Sequence, residues 1–125
     1  MSKPLKYTIR FTVWALVILL AHLVATFTIW YLPLEKLKLV YGVIALIFAL
    51  GAVIIAPGLS KDPEKFAIRF LLLTTVQMLA VFGFIGFLAF SGMKGVRNIG
   101  FHTIALFIGL LFTQSYHLIR INSGK

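Results

Sequence analysis

The sequence contains no cysteine, and only three of its 125 residues are acidic. The first absence removes disulfides, thiolate metal sites and cysteine nucleophiles. The second, set against twelve lysines and arginines, leaves a net charge of +9. Charge is scarce all the same: 12% of residues are charged and 61% hydrophobic, with a mean hydropathy of +1.04. Soluble domains are about 45–50% apolar and about 25% charged. A chain this apolar has too little polar surface for a water-soluble enzyme and too much hydrophobicity for intrinsic disorder. Its length suits one domain, residues 1–125.

Charge is also missing from four long stretches: Phe11–Leu34, Leu39–Ser60, Phe70–Met93 and Asn98–Ile119. A helix needs about 20 mainly apolar residues to cross a hydrocarbon core of about 30 Å. The pattern predicts an all-α membrane protein with four transmembrane helices, at about 9–32, 39–56, 63–91 and 98–119, arranged as two helical hairpins. Unbroken apolar runs such as Leu16–Leu20 do not alternate as barrel strands would. The first stretch is too long for a signal-peptide core, so the chain is expected to keep its N-terminus.

The remaining charges set orientation. Lys3, Lys6, Arg10, Lys61, Lys65, Arg69, Arg120 and Lys125 fall on one side, and Lys36, Lys38, Lys94 and Arg97 on the other. The positive-inside rule places both termini in the cytoplasm of a bacterial inner membrane. Lys3, Lys6, Arg10, Lys61, Lys65 and Arg69 then read as anionic-lipid contacts. Nucleic-acid binding would need a basic soluble face, which the pattern lacks. Pro33 is expected to end helix 1 and Pro57-Gly58 helix 2. Asp62-Pro63-Glu64 reads as an N-cap, a first-turn proline and a dipole-matched acid.

Lipid gives helices no hydrophobic reason to associate, so close packing and polar contacts must hold them. Gly42, Ala45, Ala49, Ala52 and Ala56 recur at spacings of 3 and 4 and share one helical face. Packing inside the chain is the plainer reading of that face; docking of another membrane subunit is the sharper one. Ala105, Gly109 and Thr113 form a weaker version on helix 4, and Gly83 and Gly86 lie in helix 3.

Three polar residues lie at depth: His22, Gln77 and Gln114. A rise of 1.5 Å per residue puts Gln77 and Gln114 about 7 and 8 Å to the cytoplasmic side of their stretches, a match that predicts an amide pair. His22 lies at the centre of its stretch. A proton relay, a haem ligand or a contact to a partner's carboxylate are its functional readings. A neutral imidazole bonded to a backbone carbonyl, Thr26 or Gln77 is the plainer one, and is preferred. His102 and His117 sit about 10 and 13 Å from their centre, in opposite directions. Neither matches His22 in depth, so no haem or other cofactor is expected.

No Asp, Glu, Lys or Arg lies within the four stretches. Proton-coupled transporters carry intramembrane charge, and small multidrug exporters of similar length need a glutamate in the first helix. No Walker loop, HExxH or GxSxG motif is present. Asp62 and Glu64 are explained by capping. The sequence therefore predicts no enzyme, no metal site and no catalytic residue.

The second half carries a resemblance. A short charged linker runs into Phe66-Ala67-Ile68-Arg69-Phe70 and the helix with Gln77, and a glycine-containing loop leads to a last helix through Leu111-Phe112-Thr113-Gln114. Over residues 58–120 this resembles the ATP synthase protein I family and its bacterial relatives, small four-helix membrane proteins often encoded with the rotary ATP synthase. That family tends to place a charged residue in helix 3 and an acidic one near helix 4, where this chain has Gln77 and Gln114 or Tyr116. The resemblance implies a non-catalytic accessory role in assembling the ring of the ATP synthase. Magnesium supply, also suggested for the family, would want oxygen ligands such as carboxylates, which the stretches lack.

The leading expectation is therefore an accessory or assembly subunit whose partners are the lipid bilayer and other integral membrane subunits. The alternative is a small oligomeric transporter or lipid-linked-substrate flippase using a polar track of His22, Gln77 and Gln114.

Overall fold

The structure is a computed structural model and describes residues 2–59 and 62–123. Four helices run in order: α1 (Lys3–Thr28), α2 (Leu34–Ile55), α3 (Pro63–Ser91) and α4 (Val96–Asn122), with a 3-10 turn at Ala56–Gly58. All four are long and apolar enough to cross a membrane.

The starts and stops follow local chemistry. Ser2 accepts a hydrogen bond from the Leu5 N–H at 3.3 Å, and Pro4 sits in the first turn. α1 therefore begins at Lys3 rather than near residue 9. It also stops earlier than expected, at Thr28. Thr26 and Thr28 turn their hydroxyls back onto the carbonyls of His22 and Val24, and β-branched and aromatic residues run on through Tyr31. Pro33 does not end α1 but stands at the start of α2, which opens at Leu34, not 39. A proline fixes φ and forces its predecessor to be extended, so it serves the entry of the next helix.

Pro57 closes α2 as expected, and the chain passes through the 3-10 turn. Asp62 accepts from the Lys65 N–H at 2.9 Å, with Pro63 first in α3. Gly92 and Gly95, at φ +72° and +78°, frame the turn into α4, a backbone that side chains with a Cβ seldom adopt.

The helices do not pair simply as two consecutive hairpins. α1 lies chiefly on α4, α2 on α3, and α4 also touches α2 and α3. α2 buries Val40, Ile44, Ile47, Phe48, Gly51 and Ile55. The set is spaced by threes and fours, and Val40, Ile44, Ile47 and Phe48 meet Val81, Leu88, Leu106, Phe107 and Leu110 in the larger core cluster. A second cluster gathers Tyr7, Ile55, Leu59, Leu73, Leu118 and Ile121 at the end where α1 begins. The exterior is apolar, with Leu16, Leu20, Leu79, Phe87 and Phe112 all exposed. Patches of that extent are rare on soluble monomers and are what lipid or a partner covers.

Candidate functional site: an outward small-residue face and two buried polar clusters

Gly42, Ala45 and Ala49 are exposed, and only Ala52 and Ala56 are half-buried. An added Cβ at Gly42 would meet nothing within 4 Å. Packing inside the chain, the plainer reading of this face, therefore fails for its first three members. The reason is volume. The inward side of α2 offers Ile44, Ile47 and Phe48, which fill the bundle interior, so the small residues are left outside. On α4, Ala105 is also exposed, whereas Gly109 backs onto Ile18 of α1 at ordinary contact distance. On α3, an added Cβ at Gly83 or Gly86 meets nothing within 4 Å.

Gln77 and Gln114 come together. Each amide donates to the other's oxygen, at 2.9 and 2.7 Å, and both side chains are buried. The Tyr7 hydroxyl donates to the same Gln114 oxygen at 3.5 Å. Gly51 makes room: a Cβ there would lie 2.5 Å from the Gln77 nitrogen and 2.8 Å from Leu73. Neither Tyr7 nor Gly51 stood out in the sequence. For Tyr7 the available signal was its spacing of four from Phe11, on which it stacks at 5.6 Å.

His22 contradicts the depth argument. Its Nε2 lies 2.9 Å from His102 Nδ1, and its Nδ1 lies 2.8 Å from the Tyr41 hydroxyl. The contact to Gln77 that was considered does not form; Thr26 is near, at 3.5 Å. The error came from taking Leu34 as the end of the first stretch, although the helix stops at Thr28. Measured from the helix itself, His22 lies about 10 Å beyond its middle, level with His102 on α4. The depth argument against a haem between two histidines thus loses its basis. Two imidazole nitrogens 2.9 Å apart share a proton. Among the described residues no group of three potential ligands is placed to hold a metal.

The proton count of this cluster leaves one atom over. If the Tyr41 hydrogen points to the Leu19 carbonyl, 3.4 Å away, His22 donates from Nδ1 and accepts from His102, whose Nε2 is bare. If it points to His22, the ring donates to His102, and His102 Nε2 carries a hydrogen with no acceptor. In both cases His102 Nε2 is buried without a partner among the described residues. Trp30 stacks on the His102 ring at 4.1 Å and donates to Asn98 at 2.7 Å. Asn98 in turn donates to the Tyr31 carbonyl at 3.0 Å. This network ties the α1–α2 connection to the first turns of α4. His117 stands apart, its Nδ1 donating to the Thr113 carbonyl at 2.8 Å.

The polar residues therefore do not line one track. His102 and Gln114 are about 18 Å apart along α4, with buried Leu106, Phe107 and Leu110 between them. Of the residues expected to contact anionic lipid, Lys6, Arg10, Lys65 and Arg69 are exposed and Lys3 is half-buried; Lys61 lies outside the described residues. Arg69 also donates to the Ile54 carbonyl at 3.5 Å, a cation at the C-terminal end of α2.

No known family model matches this sequence, and neither a curated protein nor a solved structure does.

Proposed function

We propose that the chain is a non-catalytic accessory or assembly subunit of a larger complex in the bacterial inner membrane. The observation that carries this reading is the outward face of α2. Gly42, Ala45 and Ala49 are exposed, while the interior of the bundle is filled without them. In lipid, a small-residue face is what allows a second helix backbone to come close enough for dispersion contacts to hold it. The partners are then other integral membrane subunits and the surrounding lipid, not nucleic acid. The rotary ATP synthase is the complex that the resemblance over residues 58–120 implies, with the helical hairpins of its ring as the apolar cargo.

The transporter reading has less support, because its three polar residues fall into two clusters separated by an apolar layer. Orientation rests on charge: Lys3, Lys6, Arg10, Lys65, Arg69 and Arg120 gather at the end holding both termini, favouring a cytoplasmic position for that end. The absence of native cysteine makes this directly testable. In spheroplasts, a cysteine at Lys36 is expected to react with a membrane-impermeant maleimide, and one at Ser123 only after permeabilisation. The reverse pattern would invert the topology.

The functional reading is tested by capturing the tagged chain from its native membrane in mild detergent and weighing what accompanies it. Stoichiometric membrane subunits are expected. ATP synthase subunits would identify the complex; a different set would keep the accessory class and remove that assignment. A lone homo-oligomer that moves a solute in liposomes would overturn the reading.

A further inference from the structure

At the basic end of the bundle, α1 and α4 bound a groove of about 610 Å³. Arg10 enters it from α1 and Arg120 from α4. Neither helix carries an acidic residue: the three acids of the chain are Glu35, Asp62 and Glu64. Among the described residues, two guanidinium groups thus line one hollow whose walls offer no carboxylate to balance them. Arg120 is held in place from below. It donates to the Tyr116 hydroxyl and lies over that ring at 5.7 Å. A planar guanidinium fixed this way is suited to an oxyanion with several acceptor oxygens.

The groove changes character inward. Trp14, one turn from Arg10, and Phe112 form its apolar body, and both are exposed. A second hollow of about 350 Å³ lies across Phe112 on a neighbouring face of α4, lined by Ile108, Leu111 and Ser115. A cationic mouth opening onto exposed aromatic walls has the polarity of a phospholipid. A free phosphate would use only the mouth.

We propose that this groove binds one anionic phospholipid, with its phosphate between Arg10 and Arg120 and an acyl chain against Trp14 and Phe112. The site rests on the membrane reading of the fold but not on the accessory role, and it differs from general attraction of lipid to the basic rim. Lys3 and Lys6 supply that general term; Arg10 and Arg120 supply the site.

Trp14 and Trp30 are the only tryptophans, so a Trp30→Tyr chain reports on the groove alone. The experiment reconstitutes it in phosphatidylcholine bilayers and compares quenching of Trp14 by brominated phosphatidylglycerol and brominated phosphatidylcholine. The anionic lipid is expected to associate at least about five-fold more strongly, the discrimination of one cation–phosphate contact. Lys3→Gln with Lys6→Gln should leave most of that preference, and Arg10→Gln with Arg120→Gln should remove most of it, leaving only the general term of the lysines. Thr113→Phe, which fills the groove and keeps both arginines, should also lower it; this keeps the test valid if the arginine variant loses its helicity. Equal association of the two lipids with the parent chain would overturn the proposal. So would a preference that follows the lysines alone, or quenching relieved by millimolar inorganic phosphate.

Discussion

Replacing Gly51 with alanine is expected to destabilise the bundle by about 1–2 kcal/mol, the net of overpacking against a gain in helix propensity of about 1 kcal/mol. The added methyl would sit 2.5 Å from the Gln77 nitrogen and 2.8 Å from Leu73, and both side chains are buried with little room to yield. Relief requires either α3 to move off α2 or the Gln77 amide to leave Gln114. Membrane hydrogen bonds of this kind are worth about 0.6–2 kcal/mol. The same substitution at Gly42, which meets nothing within 4 Å, keeps the propensity gain without the clash and should be neutral or mildly stabilising. A double-mutant cycle isolates the cause. In a Gln77→Ala background the cost of Gly51→Ala should fall by more than half, because its nearest obstacle is gone. Unfolding in detergent, followed by helicity, gives all four corners. Equal costs at Gly42 and Gly51, or strict additivity with Gln77→Ala, would contradict the packing described here.

That pair also shows what a single sequence reveals and what it hides. The Gln77–Gln114 contact was legible because the uncharged stretch of α4 nearly matches its helix, and that of α3 ends with its helix near Ser91, although α3 begins seven residues earlier, at Pro63. The His22–His102 contact was not legible, although the argument was of the same kind. The first uncharged stretch runs through the turn to Leu34, while the helix stops at Thr28, and the apparent midplane moved with it. Helix number followed from charge spacing alone. Helix pairing did not, because apolar residues cover most of α2 and no stripe marks its inner side. The face that seemed made for packing inside the chain points outward, since Ile44, Ile47 and Phe48 contribute more buried surface than Ala45 and Ala49 can. Tyr7, Tyr41 and Gly51 each needed the fold before their roles could be named; the third is one glycine among ten.

Ala45→Leu combined with Ala49→Leu is expected to separate folding from function. Both positions are exposed, so the double variant should keep the helicity and unfolding free energy of the parent to within about 0.5 kcal/mol, as surface substitutions do. A partner helix that approaches over these alanines would instead meet two isobutyl groups where it had methyls. Small-residue contacts tolerate no such separation, because dispersion falls off steeply with distance. Recovery of co-purifying subunits from the native membrane should drop at least about ten-fold, the equivalent of 1.4 kcal/mol of lost association. Full recovery would remove this face from the interface. Loss of folding along with recovery would show that the two alanines serve the chain itself.

The most direct measurement places a photoreactive side chain at Ala45 and, separately, at Ile44 and irradiates the native membrane. These neighbours point about 100° apart around α2: Ala45 is exposed and Ile44 is buried. The account predicts that Ala45 yields a crosslinked product containing a different membrane subunit, while Ile44 yields only products within the chain. A lone copy of the chain, lipid only, or the same products from both positions would contradict it.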